Sequence, residues 1–260
     1  MRRRFGWVAL VVALALGSAN CAVVNKLKAR DQMNKGASAY KEKRWSQAVE
    51  HFQKAMELDP GLTNAQVYLA TTYRTQYIPG ATSKENKNLG TQAMDTFKAI
   101  LARDANNLNA IANVAGLYND MEEYDEARKW RLKQLELQPN NPEPLYANAV
   151  IDWQQVYAKT GPNAELVKDM AADEKAALVK QTDSGIDSLK RALQINPEYE
   201  NAFQYYNLLL REKAKLTSSD DEKKQYLKEA DRLALKYIEI TKKKKAEEEE
   251  ARKRLGGAAK

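Results

Sequence analysis

The chain has 260 residues, 43% hydrophobic and 30% charged, enough for one or two globular domains with a real core. Its 11 Gly and 7 Pro are few, which favours long helices and excludes a sandwich or barrel, since either needs turn residues every few positions. One Cys and one His exclude a disulfide framework, a cysteine zinc site and a His-paired metal centre.

The N-terminus comes first. Arg2, Arg3 and Arg4 form a positive start, Phe5 to Leu16 an apolar run, and Gly17-Ser18-Ala19 a small-residue end. This is the order of a secretory signal peptide. The apolar run alone is short for a spanning helix, which needs about 20 apolar residues. Stretched to Val24 it just spans, with the positive start left in the cytoplasm and the rest exported. The single cysteine, Cys21, follows directly. Here the chain resembles a bacterial lipoprotein signal, and the resemblance implies a lipid on Cys21. Cleavage after Ala19, giving a soluble chain that begins at Asn20, and an uncleaved anchor remain open. All three readings place the body on the periplasmic side of a bacterial membrane. Residues 1–20 are then leader or anchor, and residues 21–28 a short tether. With the leader's three arginines set aside, 39 basic residues face 35 acidic ones. They lie in mixed-sign helices and form no stripe, so nucleic acid is excluded as a partner: phosphate binding needs clustered charge.

The body has a rhythm. Ala93 and Ala127 lie 34 residues apart, and Ala48, Ala93 and Ala127 each precede a bulky or long residue by four: Phe52, Phe97 and Arg131. Small residues recur as Gly36 with Ala48, Ala70 with Ala93, Ala115 with Ala127, and Ala149 with Gly185. Pro60, Pro139 and Pro197 close units, and Ala105 stands where a Pro is due. In this the chain resembles the tetratricopeptide repeat family. The resemblance implies an all-α, right-handed α-solenoid of about five helix-turn-helix repeats, A then B, near residues 29–62, 63–107, 108–141, 142–199 and 200–241. The last repeat departs most, with Asn207 at the small position. Small residues let the helix backbones approach, and stacked repeats bury jointly what none buries alone.

Three repeats carry insertions, all between helices A and B, so the A–B hairpins are extended. Thr82-x-x-Glu85 and Ser219-x-x-Glu222 read as capping boxes that start a lengthened helix B. Gly161-Pro162-Asn163 opens a segment running to Ile195, a helix of about 30 residues by its periodicity. Together the insertions make a raised lip. Residues 242–260 form a charged helical tail with a frayed end, in which Glu248 with Arg252 and Glu249 with Lys253 stand four apart, worth ~0.3 kcal/mol each.

Chemistry is scarce. The chain has no glycine loop for phosphates. His51 stands on helix B beside Phe52 and reads as a packing residue, and Ser38-x-x-Lys41 lies mid-helix without the partner motifs a serine enzyme needs. No catalytic residue, metal or cofactor is expected. What remains is a binding surface. The resemblance implies a groove lined by helix A: Tyr40 and Lys41 in repeat one, Val67 and Arg74 in two, Asn109 and Asn119 in three, Tyr146 and Trp153 in four, and Gln204 and Arg211 in five. Ala37 stands where the family's clamp for chaperone C-terminal carboxylates needs Asn, which excludes that ligand. The expected function is a non-catalytic scaffold of the cell envelope that binds a protein or peptide in the groove. The alternative is an envelope binding protein for peptidoglycan, polysaccharide or a small ligand.

Overall fold

The computed structural model describes the backbone of residues 3–257 and the side chains of residues 22–254. These residues form ten helices and no strand. The helices pair in chain order, α1 (Arg3–Lys41) with α2 (Trp45–Leu58) and α3 (Thr63–Gln76) with α4 (Lys84–Arg103), followed by α5 (Leu108–Asp120) and α6 (Tyr124–Leu137). Then come α7 (Glu143–Thr160) with α8 (Ala172–Ile195), and α9 (Glu200–Leu216) with α10 (Asp220–Gly257). This is the all-α solenoid class, built from helix-turn-helix repeats. The chain divides into two compact units, residues 1–130 and 131–260, with the division inside α6.

In the first unit the core is made of small residues facing large ones. Ala39, Ala48, Ala55, Ala70, Ala93 and Ala110 are buried beside Phe52, Phe97, Ile100, Val114 and Leu117. Gly36 shows why one position had to be small. A Cβ there would sit 2.6 Å from Cε1 of Phe52 and 2.7 Å from Cδ1. Phe52 is fully buried, and its ring stacks on Tyr68 with centroids 5.5 Å apart. In the second unit Gly185 is small for the same reason, since a Cβ would meet Cδ1 of Leu209 at 2.7 Å and Cβ of Asp152 at 3.0 Å. Asn207 is tolerated at the small position because its amide donates to the Gln204 carbonyl at 2.5 Å, while its oxygen accepts from Nε of Arg211 at 3.4 Å.

Repeat junctions share one device. Asp59, Asp104, Asn141 and Asn196 each accept, through a side-chain oxygen, the N–H two residues on, at 3.0–3.2 Å. Such Asx turns end one helix and aim the next, which is how Ala105 can stand in for proline. The uninserted A–B turns use a left-handed residue, Lys43 (φ 58°) and Glu122 (φ 61°).

The inserted turns differ from their sequence-based forms. In the second repeat Ser83, not Thr82, caps the helix: its hydroxyl accepts from the Asn86 N–H at 3.1 Å. The register is set by Asn86, a buried residue whose carboxamide accepts from the Ile78 N–H at 2.7 Å. Its amide donates to the carbonyls of Ile78 at 2.8 Å and Ala81 at 2.9 Å. Ser219 does cap α10, accepting from the Glu222 N–H at 3.3 Å. The Glu222 carboxylate takes the Thr217 hydroxyl at 2.5 Å, so it does not close the reciprocal half of a box.

The helix of about 30 residues expected by periodicity in the fourth repeat is shorter: α8 has 24 residues and begins at Ala172. Residues 161–171 form successive turns. Gly161 (φ 71°) and Ala164 (φ 60°) adopt left-handed backbone there, which no helix accommodates. This lip has its own small core of Val156, Leu178 and Leu216, against which Val167, Met170 and Val179 pack. Below it Glu212, 3% exposed, accepts the Thr160 hydroxyl at 2.5 Å and the Lys215 ammonium at 2.8 and 3.0 Å. Lys215 also donates to the Gly161 carbonyl at 2.8 Å. The network ties the end of α7 to α9.

Candidate functional site

The expected binding residues all lie on A helices, in two groups that are described separately. In the first unit Tyr40 is half-buried, shares a 3.0 Å hydrogen bond with the Thr75 hydroxyl and meets the Trp45 ring edge-on at 5.2 Å. Lys41, the last residue of α1, is exposed. Val67 is half-buried at the margin of the core. Arg74 is held in place: Nε and Nη2 each reach Oδ2 of Asp120 at 3.0 Å, and Nη1 donates to Oδ1 of Asn113 at 3.1 Å. Its guanidinium lies over Gly116, where a Cβ would collide with Nη2. Arg74 therefore joins α3 to α5 and presents only part of its surface. Asn109 is exposed and Asn119 half-buried on α5.

In the second unit the rings form a chain. Tyr199 meets Tyr146 edge-on at 5.5 Å, Tyr146 meets Tyr205 at 5.4 Å, and Tyr205 meets Trp153 at 5.5 Å. Trp153 stacks on Tyr157 at 5.2 Å, and the Lys215 ammonium lies 5.1 Å from the Tyr157 ring. Tyr157 is 37% exposed and ends the chain in solvent. The Tyr199 hydroxyl donates to the Glu143 carboxylate. Burial pushes the Tyr146 phenol up to about 12. Burial, and then the bond to Glu143, raise Tyr199 further. Both hydroxyls stay protonated at neutral pH. Gln204 is half-buried, and Arg211 pairs with Asp231 at 2.6 Å.

Family positions on the A helices point to Tyr146 and Trp153 but miss Tyr157, Tyr199 and Tyr205. Tyr157 is legible in the sequence, since residues 146, 153 and 157 share one helical stripe. Tyr199 and Tyr205 lie about fifty residues further on, and only packing of α9 on α7 brings them in. Cys21 and the apolar leader have side chains outside the described residues; within these residues no helix is long and apolar enough to cross a membrane. Nδ1 of His51 lies 2.8 Å from Oε1 of Gln32, a hydrogen bond that bridges α1 and α2. No three acidic, His or Cys side chains among the described residues converge on a metal position.

Residues 29–62, the first helix pair, match the family model of the tetratricopeptide repeat. Three solved structures of MamA proteins share the fold. A MamA crystal structure superposes with a TM-score of 0.55 at 15% identity, covering 84% of this chain and 94% of that one. A double mutant of the RS-1 MamA gives 0.56 at 13%, covering 84% and 97%. A MamA fragment from Desulfovibrio magneticus RS-1 gives 0.54 at 12%, covering 83% and 96%. No curated protein sequence matches. The chain thus carries one stretch that matches a tetratricopeptide repeat and shares its fold with these MamA structures.

Proposed function

We propose that this is a non-catalytic scaffold of a bacterial cell envelope, exported, held at a membrane by its N-terminal segment, and binding a protein or peptide along its A helices. The observation that carries the binding reading is the ring chain from Tyr199 to Tyr157. Its rings lie on α7, on α9 and at the residue that caps α9, half-buried and ending in an exposed tyrosine. Tyr and Trp are the residue types that dominate binding hot spots, because they supply rigid contact area at small entropic cost.

The export reading is supported by the leader's order of charge, apolar run and small residues. Lipid on Cys21 is the favoured form of the anchor. Each buried methylene would add ~0.8 kcal/mol to membrane binding. Because α1 is one helix from Arg3 to Lys41, the tether is helical. It would hold Ala29, the first buried residue among those described, about 12 Å from Cys21.

Two measurements test this. Mass spectrometry of the mature chain is expected to find an acylated Cys21; an N-terminus at Asn20 would replace the anchor with a soluble protein. A photo-crosslinking residue at position 157 is expected to capture a defined protein, with the yield falling at least tenfold when Trp153→Ala removes the neighbouring ring. Capture of glycan alone would refute the scaffold.

A further inference from the structure

The end of α10 carries its charge in blocks: Lys242 to Lys245, then Ala246, then Glu247 to Glu250. The helix is continuous through them, and from Lys242 to Arg254 every residue but Lys244 is exposed. Lys243 pairs with Glu198 at 2.6 Å, Lys244 with Glu200, and Glu250 with Arg254 at 2.6 Å. Among the described residues Lys242, Lys245, Glu247, Glu248 and Glu249 make no ion pair, and neither do Arg252 and Lys253. The pairs expected at 248 with 252 and at 249 with 253 are therefore not formed. Pairing between the two blocks within the helix would place Lys before Glu, the weaker order for spacing of four.

The blocks are self-complementary under one arrangement. If a second helix of the same sequence runs antiparallel and crosses at Ala246, Lys242 faces Glu250 and Lys243 faces Glu249. Lys244 and Glu248 lie on the far side of each helix, so these two pairs, Lys242 with Glu250 and Lys243 with Glu249, are the facing ones. Each of these contacts occurs twice, and every one joins opposite signs. In a parallel alignment each residue faces its own copy, and every contact repels. Ala246 at the crossing lets the backbones approach. Further out Lys253 falls opposite Glu239, and the stem of Arg254 opposite Ile238, which is 44% exposed and can be covered by an arginine's methylenes. Ile238, Lys242, Ala246, Glu249 and Lys253 share one helix face.

We propose that this segment of α10 pairs antiparallel with the same segment of a second copy, making a salt-sensitive homodimer. Exposed ion pairs of this kind weaken as salt screens them, so the dimer dissociates on adding salt. The test is sedimentation velocity on the full chain in detergent. The wild type is expected to associate at about 0.05 M salt, with its dissociation constant rising about tenfold or more at about 0.5 M. The variant E247K/E248K/E249K/E250K keeps Lys243 and Lys244 on their acidic partners and is expected to be monomeric. K242E/K243E/K244E/K245E is expected to be monomeric too. An equimolar mixture of the two is expected to associate, and the eightfold block exchange to restore the homodimer. A monomeric wild type at low salt overturns the proposal. So does wild-type association of the all-basic variant, or failure of the mixture to associate.

Discussion

Gly36→Ala sets two effects of known size against each other. Replacing glycine by alanine in a helix interior gains about 1 kcal/mol. Here the added methyl would lie 2.6, 2.7 and 3.0 Å from three atoms of the Phe52 ring. That ring cannot give way, since it is fully buried and stacked on Tyr68. Overpacking costs about 1–3 kcal/mol. Three close atoms of a clamped ring place this case in the upper half of that range, and the net destabilisation is about 1–2 kcal/mol. In a Phe52→Ala background, which itself costs about 3–5 kcal/mol, the clash is gone and the helix gain of about 1 kcal/mol should stand alone. The same substitution therefore changes sign between backgrounds. Urea unfolding followed by far-UV circular dichroism gives the four stabilities, and hydrogen exchange in α1 and α2 locates the change. Additive effects within about 0.5 kcal/mol would refute the close-approach account of the small position.

Buried polar groups supply the other predictions. Asn86→Ala removes all three side-chain bonds that hold residues 78–81, and it is expected to cost about 2–3 kcal/mol, with amide exchange accelerated from Ile78 to Ser83. The pH prediction concerns the ring chain. Tyr146 and Tyr199 have raised phenol pKa values because burial penalises the phenolate. A raised folded value means their stabilising contribution is complete below the ordinary tyrosine range and is lost as pH rises through the folded value. Stability should therefore hold to about pH 10 and fall toward the Tyr146 value of about 12. Phenolate absorbance should show exposed tyrosines ionising first; Tyr146 ionising with them would count against its burial.

Much of this molecule is legible along the chain, for a local reason. A helix hairpin needs a small residue where backbones cross, and Gly36, Ala48, Gly185 and Ala149 announce those places by type and spacing. The Ser219 cap is readable because its bond spans three residues. The cap expected at Thr82 falls one residue later, at Ser83, since the register depends on where Asn86 finds the carbonyls of a turn. The helix expected from Gly161 starts late because apolar periodicity does not see backbone sign; Ala164 is an ordinary residue in a left-handed place.

The repeat length, the helix class and the block-charged tail were set by residue type at short range, where spacing and helix geometry leave few choices. Arg74 reaching Asp120, Thr160 reaching Glu212, and Tyr199 completing the ring chain with Tyr146 belong to another level. Their partners stand 46, 52 and dozens of residues away. Which side chains meet over such separations depends on how one helix slides and rotates against the next. Close packing decides that only once the small residues have let the helices touch.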